Sequence, residues 1–165
     1  MNKGTLILND KQIQHKIKRI AFQVLEFYDG KEDLVIAGIA ENGYIFAQKL
    51  VDQIKTISDI KPLLCEIKID KKHPQIQPEI SLNKSDYQDK SLVLVDDVLN
   101  TGTTLIYTVK HLLDVNLKEL KTAVLVDRSH KKFPIKADYK GISLSTSLNE
   151  TVIVNFGKTS TAELV

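Results

Sequence analysis

Cysteine is nearly absent from this 165-residue chain, where Cys65 stands alone. Without a second thiol it closes no internal disulfide and builds no thiolate zinc site, which fits a reducing compartment, and the cytoplasm is the expected location. Glycine (7) and proline (4) are also scarce, and with 42% hydrophobic and 27% charged residues this excludes collagen-like, low-complexity and disordered classes. Long apolar runs are missing. The longest covers residues 34–37, or 34–40 if glycine is allowed, far short of the roughly 18 residues of a membrane span. The opening "MNKGTLILND" has one Lys, and its apolar run stops at Leu8, so it lacks the length of a secretory signal. Nor does one sign of charge dominate. Against 21 acidic residues stand 23 Lys and Arg, a net charge of +2, so any surface for nucleic acid has to be local and no membrane partner is expected.

The length fits one domain over residues 1–165. Asn9 and Asp10 are placed to cap a helix whose apolar positions Ile13, Ile17, Ile20, Val24 and Phe27 recur at helical spacing, with Lys11, Lys16, Lys18 and Arg19 mostly opposite. The run "DLVIAGIA" is short, β-branched and unalternated, as in a parallel strand covered on both faces, and "ENGY" leads from it into a helix. Residues 63–69 form a third apolar run, followed by "DKKHPQIQPEISLNKSDYQDK", which reads as a long loop or hairpin arm. Residues 92–95 repeat the strand, with Leu105, Val109 and Leu112 marking the inner face of the next helix. Strands are expected at 122–126, near 142–144 and at 152–156. This alternation predicts an α/β fold with a doubly wound, mainly parallel sheet, whose ligands sit at the carboxyl ends of the strands.

Asp96 and Asp97 lie where a buried strand gives out, and two successive carboxylates there point to a ligand, because carboxylates are seldom buried unpartnered. Neighbours on a strand point to opposite faces, so the pair flanks a bound group, and the vicinal hydroxyls of a ribose suit such acceptors. Asn100, Thr101, Gly102, Thr103 and Thr104 then open a helix, bringing unpaired N–H groups, hydroxyls and the positive helix end to one point. The loop lacks the Gly-Lys-Ser/Thr ending of a P-loop and the three spaced glycines of a dinucleotide fold, so it is suited to one terminal phosphate. Together these features describe a site for ribose 5-phosphate.

"LVLVDDVLNTGTT" resembles the phosphoribosyl-pyrophosphate loop of type I phosphoribosyltransferases. "RIAFQVLE", "LVIAGIAENGYIFAQKLVDQI", "CEIKID" and "AVLVDRSHKKFPIKADYKGISLSTSLNETVIV" are similar to one branch, the bifunctional pyrimidine-operon attenuator and uracil phosphoribosyltransferase family. The resemblance implies a type I phosphoribosyltransferase fold with a small hood, and displacement of pyrophosphate from ribose carbon 1 by a nucleobase, uracil first. Asp96 and Asp97 would be the catalytic pair on the ribose hydroxyls, and Asn100, Thr101, Gly102, Thr103 and Thr104 would hold the 5-phosphate. Ala40, Glu41, Asn42 and Gly43 would hold pyrophosphate, Asp127 and Arg128 would border the base, and the "ISLSTSLNE" segment with the last strand would form the hood. Mg²⁺ would arrive with phosphoribosyl pyrophosphate, without a metal site of the protein's own, and self-association is implied by analogy.

Two departures bear on activity. The family's pyrophosphate turn reads Lys-Thr-Arg-Gly, where this chain has Ala40, Glu41, Asn42 and Gly43, and its arm carries an Arg where this chain has Asp70, Lys71, Lys72 and His73. These lysines either close over pyrophosphate or form a solvated turn. Asn100 stands where purine relatives often have an acid and cannot take a proton, which disfavours a purine mechanism. Arg128, His130, Lys131, Lys132, Lys136 and Lys140 form a basic strip that is either a solvated face or, by resemblance, a weak contact for RNA or another anion, with Lys131, Lys132 and Lys136 as candidates. No aromatic platform accompanies it, and Phe22 replaces a family His on the first helix. Histidines 15, 73, 111 and 130 lack metal-ligand spacing. The competing class is a regulator that senses phosphoribosyl pyrophosphate or a nucleotide without turning it over, with RNA as a candidate partner.

Overall fold

In a computed structural model that describes residues 4–30 and 33–165, six strands form one sheet and three form another. The elements are β1 (Thr5–Leu8), α1 (Asp10–Phe27), β2 (Leu34–Ile39), α2 (Asn42–Ile57), β3 (Leu63–Lys68), β4 (Glu79–Ile80), α3 (Lys84–Tyr87), β5 (Ser91–Leu99), α4 (Thr103–Leu112), β6 (Glu119–Asp127), β7 (Tyr139–Ser143), β8 (Val152–Phe156) and β9 (Ser160–Leu164). The larger sheet has the order β4-β3-β2-β5-β6-β7, parallel except for β4. Helices α1 and α2 bury Ile13, Ile20, Phe46 and Leu50 on one face, while Leu105 and Leu112 of α4 and Tyr87 pack on the other. Every residue of β2 is buried, as a strand covered on both sides requires.

Helix α1 begins in a capping box: Asn9 Oδ1 accepts from Gln12 N and Gln12 Oε1 from Asn9 N, both at 2.9 Å. Four of its five expected core positions are buried, but Phe27, the last helical residue, is 63% exposed and only meets the ring of Tyr139. On α4 the inner face includes Thr108 and His111, and Val109 is half-buried. The stretch after β3 is a hairpin arm, since β4 pairs antiparallel with β3 and α3 follows. Cys65 is buried in β3, and burial pushes its thiol up. Among the described residues no helix is long and apolar enough to cross a membrane.

The connection from β2 leads to β3 on one side and that from β5 to β6 on the other, so the strand order reverses between β2 and β5, where open α/β sheets leave a crevice. Pairing of β2 with β5 ends at Gly38 and Val95, whereas β5 continues along β6 to Leu99 and Asp127. The acids at 96 and 97 therefore lie within a nine-residue strand that has lost one neighbour. Sequence periodicity ends this strand at Val95, whereas the β6 ladder carries it on to Leu99. The second sheet has the antiparallel order β1-β9-β8. It is fastened to α1 where Ser160 N donates to Asp10 Oδ1 at 2.8 Å.

Candidate active site

The open end of β5 forms one wall of a cleft of about 300 Å³, lined by Asp96, Asp97, residues 98–105, Lys71, Arg128, Thr151 and Val152. Gly102 has φ +85°, a left-handed conformation that turns the chain into α4, and a Cβ there would lie 2.4 Å from Ile135 Cγ2. Thr101 and Thr103 share a hydroxyl hydrogen bond of 2.8 Å, and Thr103 N lies 3.3 Å from Thr101 Oγ1. The loop is held from outside, because Lys132 N donates to Thr101 O at 2.7 Å and Arg128 N to Leu99 O at 2.9 Å. Hydroxyls, backbone N–H groups and a helix N-terminus thus surround one point, an arrangement suited to a phosphate.

Asp96 is 5% exposed and Asp97 half-buried. Both line the same cleft. Asp96 Oδ1 accepts from Asp97 N and Asp97 Oδ1 from Val98 N, each at 2.9 Å. Burial first, then the charge of Asp97, pushes the Asp96 carboxyl well above the usual carboxylate range, while the Lys71 ammonium pulls it down. The start of α2 presses on this pair: a Cβ at Gly43 would meet Val95 O at 2.8 Å and Asp96 Cα at 2.9 Å. Only a residue without a side chain fits there.

Ala40, Glu41, Asn42 and Gly43 lie beside the cleft rather than along its wall. Ala40 N donates to Ile67 O, the Ala40–Glu41 peptide is cis, and Glu41 is exposed. Asn42 Nδ2 donates to Asp97 Oδ2 at 3.1 Å and to Val154 O at 2.9 Å, which occupies both of its N–H groups. Lys71 alone brings a cation from the arm to the cleft; Lys72 does not line it. The turn carrying Lys71 is fixed by Asp70, whose Oδ1 accepts from Lys72 N at 2.8 Å and His73 N at 3.2 Å, and these bonds hold the Asp70 carboxyl low.

Arg128 lines the cleft, but its guanidinium is engaged with the segment before β8. Nε and Nη2 reach Thr146 Oγ1 at 3.1 Å, and Nη2 also donates to Ser147 O and Glu150 O. Asp127 is buried outside the cleft lining, where Oδ1 accepts from Ser129 N and Oδ2 faces Lys131 at 3.8 Å and Lys140 at 3.7 Å. Lys131, Lys132 and Lys136 also lie outside the lining, and Lys136 faces Asp138. Val152 belongs to the strand expected in the hood, whereas Thr151 escaped sequence reasoning as a wall residue, because its position depends on the far end of the chain: Thr151 and Val165, the residue after β9, exchange backbone hydrogen bonds of 2.7 and 2.9 Å. Among the described residues no three His, Cys, Asp or Glu side chains gather as a metal site.

The model of the phosphoribosyl transferase domain family matches residues 5–160. A protein of Clostridium botulinum (strain Alaska E43 / Type E3) named Bifunctional protein PyrR is 36% identical over 164 residues, covering 93% of this chain and 90% of its own length. One of the same name from Bacillus pumilus (strain SAFR-032) is 33% identical over 178 residues, covering 100% of this chain and 97% of its own. Among solved structures, a hypoxanthine-guanine phosphoribosyltransferase from Bacillus anthracis str. 'Ames Ancestor' superposes with a TM-score of 0.74 at 22% identity, covering 87% of this chain and 84% of its own. The hypoxanthine phosphoribosyltransferase of Trypanosoma cruzi gives 0.75 at 20% identity, over 90% and 85% of the two chains. These structures share the fold described above.

Proposed function

The chain belongs to the phosphoribosyltransferase family, and from that premise we propose that its single domain transfers phosphoribosyl from phosphoribosyl pyrophosphate to a nucleobase, with uracil the leading acceptor. The observation that carries this reading is the convergence of Asp96, Asp97 and the 100–104 loop on one cleft of about 300 Å³. Asp96 and Asp97 take the ribose hydroxyls and the loop takes the 5-phosphate. The bond from carbon 1 to the pyrophosphate oxygen breaks, a base nitrogen bonds to that carbon, and the proton of this nitrogen passes to solvent. Catalysis then consists of orientation and of charge placed where pyrophosphate leaves. Mg²⁺ enters as part of the substrate complex. Two neighbouring carboxylates can add oxygen ligands to an ion otherwise held by phosphates and water.

Asn100 supports a pyrimidine acceptor, since it supplies no carboxylate to take a purine proton. Arg128 supports the base end indirectly, by tying residues 146–150, which lead into the lining residues Thr151 and Val152, to the cleft wall. Lys71 is the cation for pyrophosphate, because the 40–43 turn contributes none and Asn42 has spent its donors.

That same turn favours a second reading, a sensor that binds phosphoribosyl pyrophosphate or a nucleotide without turnover. Incubation of the pure protein with phosphoribosyl pyrophosphate, Mg²⁺ and each common nucleobase separates the two. A uridine monophosphate product supports the enzyme, binding without any monophosphate supports the sensor, and the absence of binding overturns both.

A further inference from the structure

One side chain touches three parts of the site. Asn42 belongs to the first turn of α2, yet its Nδ2 reaches Asp97 Oδ2 on β5 at 3.1 Å and Val154 O on β8 at 2.9 Å. β8 is an edge strand whose only strand partner is β9, and it follows directly on Thr151 and itself supplies Val152 to the cleft. We propose that Asn42 is a positioning residue that fixes the carboxylate of Asp97 and ties it to β8, so that a ligand drawing on Asp97 changes the hold on the hood strand. The inference rests on the phosphoribosyl reading of the cleft for the identity of that ligand.

The chemistry of the side chain is specific to this task. A primary amide offers two N–H groups from one nitrogen and so serves two acceptors at once without neutralising the carboxylate. Aspartate at position 42 would face both acceptors with a third, and leucine would offer them no donor. Each oxygen of Asp97 has one protein donor, Val98 N on Oδ1 at 2.9 Å and Asn42 Nδ2 on Oδ2 at 3.1 Å, so a hydroxyl or cation that takes up Oδ2 shares it with Asn42. Competition for that oxygen is a physical link between ribose occupancy and the tether on Val154, because both draw on the one amide of Asn42.

The test uses hydrogen exchange at the amides of Val152–Phe156 in wild type, Asn42→Leu, Asn42→Asp and Asn42→Gln, with the amides of β5 as a control for the intact fold. Ribose 5-phosphate with Mg²⁺ serves as the probe, because it carries the phosphate and ribose but no base to lie against Val152. Without the probe, exchange in β8 should be at least tenfold faster in Asn42→Leu and Asn42→Asp than in wild type, with part of the protection regained in Asn42→Gln. At saturation the probe should change β8 exchange at least threefold in wild type and leave it unaltered in Asn42→Leu. Equal exchange in ligand-free wild type and Asn42→Leu, or an equal response to the probe, overturns the inference. If the leucine variant does not fold, the aspartate variant carries the same comparison. Failure of wild type to bind the probe counts against the phosphoribosyl reading, while the ligand-free comparison still decides the tether.

Discussion

His111 Nε2 lies 3.0 Å from the carbonyl oxygen of Pro74, so the helix that follows the 100–104 loop also holds the arm that carries Lys71. A carbonyl only accepts, which places the imidazole proton on Nε2. His111 is 6% exposed, and its replacement leaves a buried carbonyl without a donor, a loss of about 1–3 kcal/mol. We expect His111→Phe to lower stability by that amount and to speed hydrogen exchange or proteolysis across residues 71–78. Unchanged protection of the arm would show that Pro74 is held by packing alone.

The alternation of buried strands and helices was legible in the sequence because β2, residues 92–95 of β5 and residues 123–126 of β6 are apolar runs, and the 100–104 loop was legible because its residue types follow a strand at fixed offsets. What escaped depends on partners far along the chain. β1 is short and is a strand only because Thr5 pairs with Leu164 and Leu6 with Glu163, and β9 depends on its pairing with both β1 and β8. Asn42 reads as a pyrophosphate contact, and its bond to Val154, 112 residues away, has no signal in the local sequence. Arg128 reads as a base contact, and nothing in the sequence signals that its Nε and Nη2 also bind residues 146–150. Local pattern identifies elements, whereas the use of a polar side chain is decided by the acceptors that folding places around it.

Asp96 gives a prediction with a definite sign. Its folded-state titration is raised above the ordinary 3.8 chiefly by burial, so between these values the folded protein keeps a proton that the unfolded chain has lost. Stability therefore falls as pH rises through this window. Asp96→Asn retains an oxygen to accept from Asp97 N and removes the buried charge. It should be more stable than wild type above the window by ~1 kcal/mol, roughly 2–4 °C in Tm, and the gain should vanish below the ordinary value. Ligand binding should weaken in the same variant. Thermal melts across pH check this, and a variant less stable than wild type at pH 8 would refute it.

Gly102 is constrained twice, by φ +85° and by Ile135 Cγ2 at 2.4 Å from a would-be Cβ. Gly102→Ala should cost about 1–3 kcal/mol and remove phosphate binding. Ile135→Ala relieves the second constraint but not the first, so a double-mutant cycle should show favourable coupling with binding still impaired. Additive effects in denaturant titrations would mean that Ile135 moves aside freely.

For RNA we expect weak and salt-sensitive binding. Lys131 and Lys140 share the carboxylate of Asp127 and Lys136 faces Asp138, which leaves the strip with few uncommitted charges. An interface with two or three phosphate contacts should lose about tenfold in affinity between 50 and 200 mM salt. Reversing Lys131 and Lys132 to Glu should abolish what binding there is. Tight, sequence-selective binding that survives high salt would instead favour a regulator built on other residues.

Lys71 and Lys72 are adjacent in sequence but differ in place, since only Lys71 lines the cleft. Pyrophosphate gains charge on its leaving oxygen as the bond to carbon 1 lengthens, and an ammonium positioned there stabilises the transition state more than the bound substrate. The 40–43 turn has no cation, and of the two cations in the lining Arg128 is fixed through Nε and Nη2 to residues 146–150, which leaves Lys71 as the ammonium of the lining. Removing one such donor costs about 2.7–4 kcal/mol of barrier, a loss of roughly 10²–10³ in kcat. We expect Lys71→Ala to reduce turnover with uracil by that factor, with a smaller change in KM for phosphoribosyl pyrophosphate, while Lys71→Arg retains part of the rate. Lys72→Ala should stay within a few-fold of wild type. Should the protein bind phosphoribosyl pyrophosphate without turnover, the same pair is compared by calorimetry, and Lys71→Ala should weaken binding of the pyrophosphate-bearing ligand more than that of ribose 5-phosphate. Equal effects of the two substitutions would remove Lys71 from the pyrophosphate site.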